Sequence, residues 1–400
     1  MFYGHQMDED RQLIAAVGER IAVPREAPAD SFVLHSPLEL LARAGLLPHV
    51  RPSDRAAARD RIRELADKYD AAGDPVEPPA PVDADSVRDG IARLVDAISA
   101  GELDDVDRYS LWVGAHASPI ELRELLAEPV AASLAAAAHA SILLDLLPRV
   151  TLAGDVTVSI VRGPARELAR HPDWRLRWFD DPDGVASPSP ALADALLEVP
   201  MLGLPGSNFI FPIMHQAEDS GIAAKLLHGV LDGDARAAGR DLARVAAWSM
   251  VQEGPDQAPY GWSHCLTMPQ SVIALAGHGA SSRTAIAVAA THVVGFRAAL
   301  GQRVVDPTHE PAPPDTTDLS DAIACGQHAA AASVWHAPEA EFDDIVTTLA
   351  SRAALHHDAH LVKYTLACFD AAANDPDQRR LYLTAAASLS GWWAEFEEGV

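Results

Sequence analysis

HHDAHLVKYTLACFD, residues 356–370, has the apolar spacing of a buried helix, yet it carries three histidines and a lysine. At 100° per residue, His356, His360, Lys363 and Ala367 share one narrow face, where a core helix would carry Leu or Val. Lysine is scarce in this chain: Lys68, Lys225 and Lys363 are the only three among 31 basic residues. An ammonium buried without a partner costs several kcal/mol, so the amine must snorkel, pair, lose its proton or react. An ion pair with Asp358 or Asp370 is the plain reading. The chemical one is a neutral amine that captures carbon dioxide. The resulting carbamate is an oxygen ligand beside His360, and a mixed imidazole and oxygen-anion set suits iron, manganese or zinc.

Working outward, helical signals dominate. Ser36-Pro37-Leu38-Glu39 and Ser118-Pro119-Ile120-Glu121 read as capping boxes with proline at the first helical position. Asp54 is placed to cap a helix ending near Gly73, a Pro-rich connector follows at 74–85, and another amphipathic helix spans roughly 84–100. The Ala-rich stretch 129–148, PVAASLAAAAHASILLDLLP, reads as a central buried helix and not a membrane span. Further helices are expected over 216–252, 265–277, 282–301, 318–334, 340–372 and 376–397. Residues 150–215 differ. VTVSIV at 156–161 alternates like a strand, and Pro, Gly and Asp are frequent through 181–212. The fold class expected is all-α: a segment 1–30, then one helical domain over 31–400, with an irregular insertion at 150–215. That insertion would hold at most a small β element and border a substrate cavity.

The composition narrows the partners. Net charge is −26 with 48% hydrophobic residues over 400, a folded chain with no basic stripe to neutralise phosphates. Nucleic acid and anionic membranes are therefore not expected partners. No apolar leader opens the chain, and Cys265, Cys325 and Cys368 are odd in number and widely spaced. Both features suit a reducing cytoplasm.

Motif searches are mostly negative. GHGASS at 277–282 is neither a dinucleotide fingerprint nor a P-loop, and neither a GxSxG elbow nor an HExxH pair occurs. Asp180-Asp181-Pro182-Asp183-Gly184 is acidic but reads as a solvated turn. Histidine carries the information. His139, His264 and His292 stand singly in the most apolar stretches, and His35 and His116 precede helices. Each alone reads as a neutral imidazole bonded to a carbonyl or serving a helix end.

His360-Leu361-Val362-Lys363, preceded by Asp358, resembles the C-terminal D-x-H-x-x-K signature of the questin oxidase-like family, enzymes that open anthraquinone rings in polyketide biosynthesis. The stretch from His35 to Gly45 resembles that family's N-terminal helix, and His264-Cys265-Leu266-Thr267-Met268-Pro269 its H-x-V/L-T-x-P/A segment. His139 is the best match to a lone mid-chain histidine. The resemblance spans roughly 30–395.

It implies an oxygenase holding one non-heme Fe(II), with Mn or Zn as lesser candidates. The ligands it implies are His35, His139, His264, His360 and a carbamylated Lys363. His360 and Lys363 would be central to catalysis, and dioxygen would be the co-substrate. The implied substrate is a small polycyclic aromatic or quinone-type compound, and neither flavin nor nicotinamide has a site in the chain. Tyr260, Trp262, Trp112 and Trp335 are the aromatic residues proposed to stack on that substrate. Two alternatives stand beside this reading. One is a zinc hydrolase built on His356 and His360 at i, i+4, and the other is a non-catalytic helical protein binding an apolar ligand. A homodimer is compatible with all three.

Overall fold

The computed structural model describes residues 2–26, 31–153, 161–180, 191–254 and 257–398. Nineteen α-helices lie among them: α1 (Phe2–Ile21), α2 (Ser31–Leu46), α3 (Arg55–Asp70), α4 (Val87–Ala100), α5 (Leu103–His116), α6 (Pro119–Ala131), α7 (Ala140–Ala153), α8 (Arg162–Arg170), α9 (Leu192–Leu197), α10 (Ile210–Asp219), α11 (Ile222–Leu227), α12 (Ala235–Gln252), α13 (Ser263–Leu275), α14 (Ser282–Leu300), α15 (Leu319–Ala324), α16 (Gln327–His336), α17 (Phe342–Leu355), α18 (Ala359–Asn374) and α19 (Arg379–Glu398). No strand occurs among the described residues, and the fold is all-α. The stretch 156–161, read as a strand, lies outside the described residues except for Val161, and the acidic turn at 180–184 except for Asp180.

Local chemistry accounts for many of these boundaries. Ser118 accepts from the Glu121 amide while Glu121 Oε2 accepts from the Ser118 amide at 3.0 Å, closing the expected capping box of α6. The second expected box does not form. α2 begins five residues earlier, at Ser31, and runs through Pro37, so Ser36 lies inside the helix. Glu39 turns away from the helix end and bonds Arg43, one turn on. A carboxylate with an arginine at i+4 in an apolar helix gains more from that buried pair than from a cap.

Two expected helices are broken. The stretch 340–372 divides into α17 and α18 because His356 is extended (ψ 155°) and Asp358 caps a new helix by accepting from the His360 amide. The Ala-rich stretch 129–148 divides at Ala136, Ala137 and Ala138, which all take positive φ, near 51°, 50° and 57°. L-residues pay roughly 1–2 kcal/mol each for that conformation. The turn is clamped from outside, since the Leu134 amide bonds Trp174 O at 2.7 Å and the Leu176 amide bonds Ala132 O at 2.9 Å.

The core is built around α14, which is buried on every side from Thr284 to Leu300, as expected of a helix apolar all round. Four helices form a closed circuit, α2 on α7, α7 on α13, α13 on α18, and α18 back on α2, and α13 joins it to α14. Gly45 brings the last pair close, since a Cβ there would meet Leu366 Cδ2 at 2.8 Å. The described part of the 150–215 region belongs to the same packing. Val161, Leu168, Leu176, Phe179, Leu192 and Leu196 join the core cluster that holds Leu41, Leu266 and Val362. The N-terminal segment is likewise helical, with α1 tied to α3 through Arg59–Asp10 and Arg20–Asp70 ion pairs.

Candidate metal centre

Each helix of the circuit delivers one imidazole to its interior. His35 comes from α2, His139 from the left-handed turn that opens α7, His264 from the first turn of α13, and His360 from the first turn of α18. Ring centroids lie 4.6 Å apart for His35–His139, 5.2 Å for His139–His264, 4.9 Å for His264–His360 and 4.9 Å for His360–His35, which closes the ring. One nitrogen from each of His35, His139 and His264 lies within 4.8 Å of the other two. His35 Nε2 and His139 Nε2 approach to 2.9 Å.

The outer nitrogens settle the tautomers. His139 Nδ1 stands 2.6 Å from Ala137 O, His264 Nδ1 2.5 Å from Tyr260 O, and His360 Nδ1 3.0 Å from Asp358 Oδ1. Carbonyl and carboxylate oxygens only accept, so each Nδ1 carries the proton and each Nε2 is left with a lone pair. With its Nδ1 protonated, His139 Nε2 accepts from His35 Nε2–H. His264 Nε2 is buried with no hydrogen-bond partner. Outer-nitrogen bonds of this kind orient metal-ligating histidines.

The backbone devices that present these rings are local. The carbonyl that holds His139 belongs to the left-handed alanine turn. The carbonyl that holds His264 belongs to a π-helical turn, Ala258–Trp262, that runs into α13. Such turns put side chains and carbonyls where a regular helix cannot.

Lys363 lies one turn beyond His360, is 3% exposed, and its Nζ has no hydrogen-bond partner. Burial draws its pKa down to about 7, against the opposing pull of Asp358 and Glu39. Burial also holds His139 and His264 well below the usual imidazole range, assisted by Lys363 and His35 for the first and by His360 and Lys363 for the second. Burial lowers His360 as well, opposed by its bond to Asp358. Burial alone would raise Asp358, but its bonds to His360 prevail and keep it below the ordinary carboxylate value.

Four of the five residues named as ligands thus share one interior through ring contacts, and Lys363 lies close enough for its charge to act on His139, His264 and His360. The other named residues divide. Tyr260 is 49% exposed and meets the His360 ring edge-on at 4.9 Å, bridging the interior and the surface. Trp262 is 1% exposed and lies under the Arg297 guanidinium, a core position. Trp112 stacks on His116, and Trp335 packs on Trp248 beside a surface cavity shared with Phe342 and Arg379. Among the described residues neither has a ring contact with the four histidines, so the structure does not bring these two to the centre.

His356 also departs from expectation. It ends α17 and packs on Trp393 at 4.9 Å, so it shares no helix face with His360. His357 faces Arg61 at the surface. The i, i+4 pairing of His356 and His360 on one helix does not form, because the chain turns between them.

Three participants lie outside the ligand set that sequence reasoning names. Glu39 and Arg43 form a buried ion pair near Lys363, and a pair of charges at i, i+4 inside an apolar helix was the available signal. His292, 1% exposed with Nδ1 unpartnered, faces His264 electrostatically. The alanine turn left no signal, since Ala is the strongest helix former. No family model, curated protein or solved structure matches the chain.

Proposed function

We propose that this protein is a non-heme iron oxygenase. In this reading His35, His139, His264, His360 and a carbamylated Lys363 hold one Fe(II), and a flat, electron-rich aromatic or quinone-type substrate is oxidised with dioxygen. The observation that carries it is the close group of His35, His139 and His264 ring nitrogens, with His264 Nε2 and the Lys363 amine both buried without a hydrogen-bond partner. Such groups are costly to bury unless a cation satisfies them. The residues fit the metal: imidazoles and an oxygen anion are the ligand types iron accepts.

Charge balance supports the carbamate. A divalent ion and the Arg43 guanidinium bring three positive charges, while Asp358 and Glu39 bring two negative ones. A protonated Lys363 would add to the excess. Its carbamate removes it: the amine lone pair forms an N–C bond to carbon dioxide, one N–H proton departs, and an anionic oxygen ligand results.

When bound, the metal supplies electron transfer to dioxygen. The chain's own residues do the rest. Asp358 and the carbonyls of Ala137 and Tyr260 hold the imidazoles in the ligating tautomer. The apolar packing of α2, α7, α13 and α18 excludes water. Tyr260, half exposed, marks the way in, and its ring offers a face for stacking a planar substrate. Nearby, Met201, Leu202 and Leu204 are exposed apolar side chains on a segment whose Leu202 amide bonds Ala298 O at 2.7 Å. This apron at the end of α14 supports an apolar substrate over a charged one.

Metal analysis of anaerobically purified protein tests the reading. About one iron per chain is expected, lost in His264→Ala and His139→Ala with helical content retained. Full occupancy in both variants would sink the assignment, and zinc in place of iron with dioxygen-independent turnover would favour a hydrolase.

A further inference from the structure

Arg43 lies 3% exposed in α2, two turns beyond His35, and its hydrogen bonds go to Glu39 and to two backbone carbonyls. Its fork spends every direction on two helices. Nε donates to Glu39 Oε1 at 2.8 Å, Nη1 to Ala354 O at 2.7 Å, and Nη2 to His356 O at 2.6 Å. The two carbonyls are among those left open where α17 ends, with Leu355 O taken by Arg61, groups that a buried helix terminus must satisfy. The next residues build the site: the Asp358 amide bonds His356 Nδ1 at 3.0 Å, and Asp358 Oδ1 takes both the His360 amide at 2.7 Å and His360 Nδ1 at 3.0 Å.

We propose that Arg43, held by Glu39, is a positioning residue for the metal centre: it latches α2, which carries His35, to the α17–α18 break from which Asp358 aims His360 and Lys363. The inference rests on the metal-centre reading and adds residues that touch neither metal nor substrate. Its physical reason is geometric. A guanidinium is planar with five donors and can satisfy a carboxylate and two carbonyls at once, which an ammonium cannot. A buried ion pair is a poor device for stability alone, because desolvation offsets much of the attraction. It is a good device for register, and the His35 and His360 rings it spaces are 4.9 Å apart. Ligating groups need placement within about 0.5 Å.

The test uses Co(II) as probe on full-length metal-free protein in bicarbonate buffer. Affinity by chelator competition, the visible d–d spectrum and the melting temperature are measured together. Arg43→Met and Arg43→Lys are expected to fold but bind Co(II) roughly 10- to 100-fold more weakly, with shifted d–d bands. Glu39→Gln, which keeps an oxygen for Nε, is expected to fall between them and wild type. Variants that melt earlier yet keep wild-type affinity and bands would make Arg43 a stability residue only and overturn the proposal. Should Arg43→Met not fold, Arg43→Lys and Glu39→Gln decide by the same criterion. Failure of the wild type to bind Co(II) would remove the metal-centre reading and this proposal with it, whereas normal variants remove the positioning role alone.

Discussion

In the proposed centre, Lys363 is the side chain on which the ligand chemistry depends most. Arginine could not replace it, since a guanidinium stays protonated and cannot react with carbon dioxide. Lys363→Arg and Lys363→Ala should therefore lose stable metal binding, while Lys363→Glu keeps a weak remnant through its shorter anionic arm. Carbon-13 NMR under labelled carbon dioxide should show a carbamate resonance in the wild type that Lys363→Ala lacks. The same resonance in both would place the adduct elsewhere. His292 makes a second prediction, about pH. Burial lowers its pKa from 6.5 to about 4, so below pH 6.5 the unfolded chain takes up a proton that the folded one refuses. The unfolded state then binds more protons, and stability falls as pH drops from 6.5 towards 4. A tenfold difference in proton affinity between the two states is worth about 1.4 kcal/mol, so the loss from this residue approaches roughly 3 kcal/mol. Urea unfolding of metal-free protein should show that slope, and His292→Phe should flatten it by about that amount. An unchanged slope would mean that His292 is not held neutral.

At the scale of elements, the left-handed turn Ala136–Ala138 stores strain next to a candidate ligand, where an observed backbone outlier points to function. Glycine adopts positive φ without the Cβ clash. Ala137→Gly should therefore be neutral or raise stability by up to about 1 kcal/mol, whereas Ala92→Gly, exposed in the middle of α4, should cost about 1 kcal/mol. Opposite signs in thermal melts would verify the turn, and equal losses would indicate a continuous helix through His139. The clamp on this turn comes from Trp174 and Leu176, in the region 150–215. That region thus bears on the ligand geometry through two backbone hydrogen bonds.

For the whole molecule, the proposed ion would be held by four helices and would tie distant parts of the chain together. Ligand binding to the folded state alone stabilises by about 4 kcal/mol at a thousand-fold excess over Kd. Stripping the metal anaerobically should lower the melting temperature and raise hydrogen exchange in α2, α13 and α18 and at the start of α7. The α4–α5 pair, whose Leu94, Ala97 and Val106 join α8 in a separate small core cluster, should change little. Uniform exchange changes, or none, would argue against a centre that couples these four helices.

Much of this protein was legible in one dimension. Helical periodicity, the Ser118–Glu121 capping box and the scarcity of lysine are local properties, because a helix is stabilised by bonds and side-chain pairs within four residues. His139, His264, His360 and Lys363 drew attention for the same reason, as polar groups in apolar helical surroundings, whereas His35 read as a residue before a helix and joined them only through the family resemblance. Their convergence was not local. It depends on how α2, α7, α13 and α18 cross, and helix crossing is decided by packing among residues far apart in the chain, Gly45 against Leu366 among them. Packing also cut the two helices that periodicity would have continued, at Ala136–Ala138 and at His356–Asp358. It diverted Glu39 from a helix cap to Arg43, and it left Trp112 and Trp335 with other partners. Sequence determined which groups needed a buried partner, and only the tertiary structure decided which of them share one, since burial is set locally while proximity is set by the whole packed core.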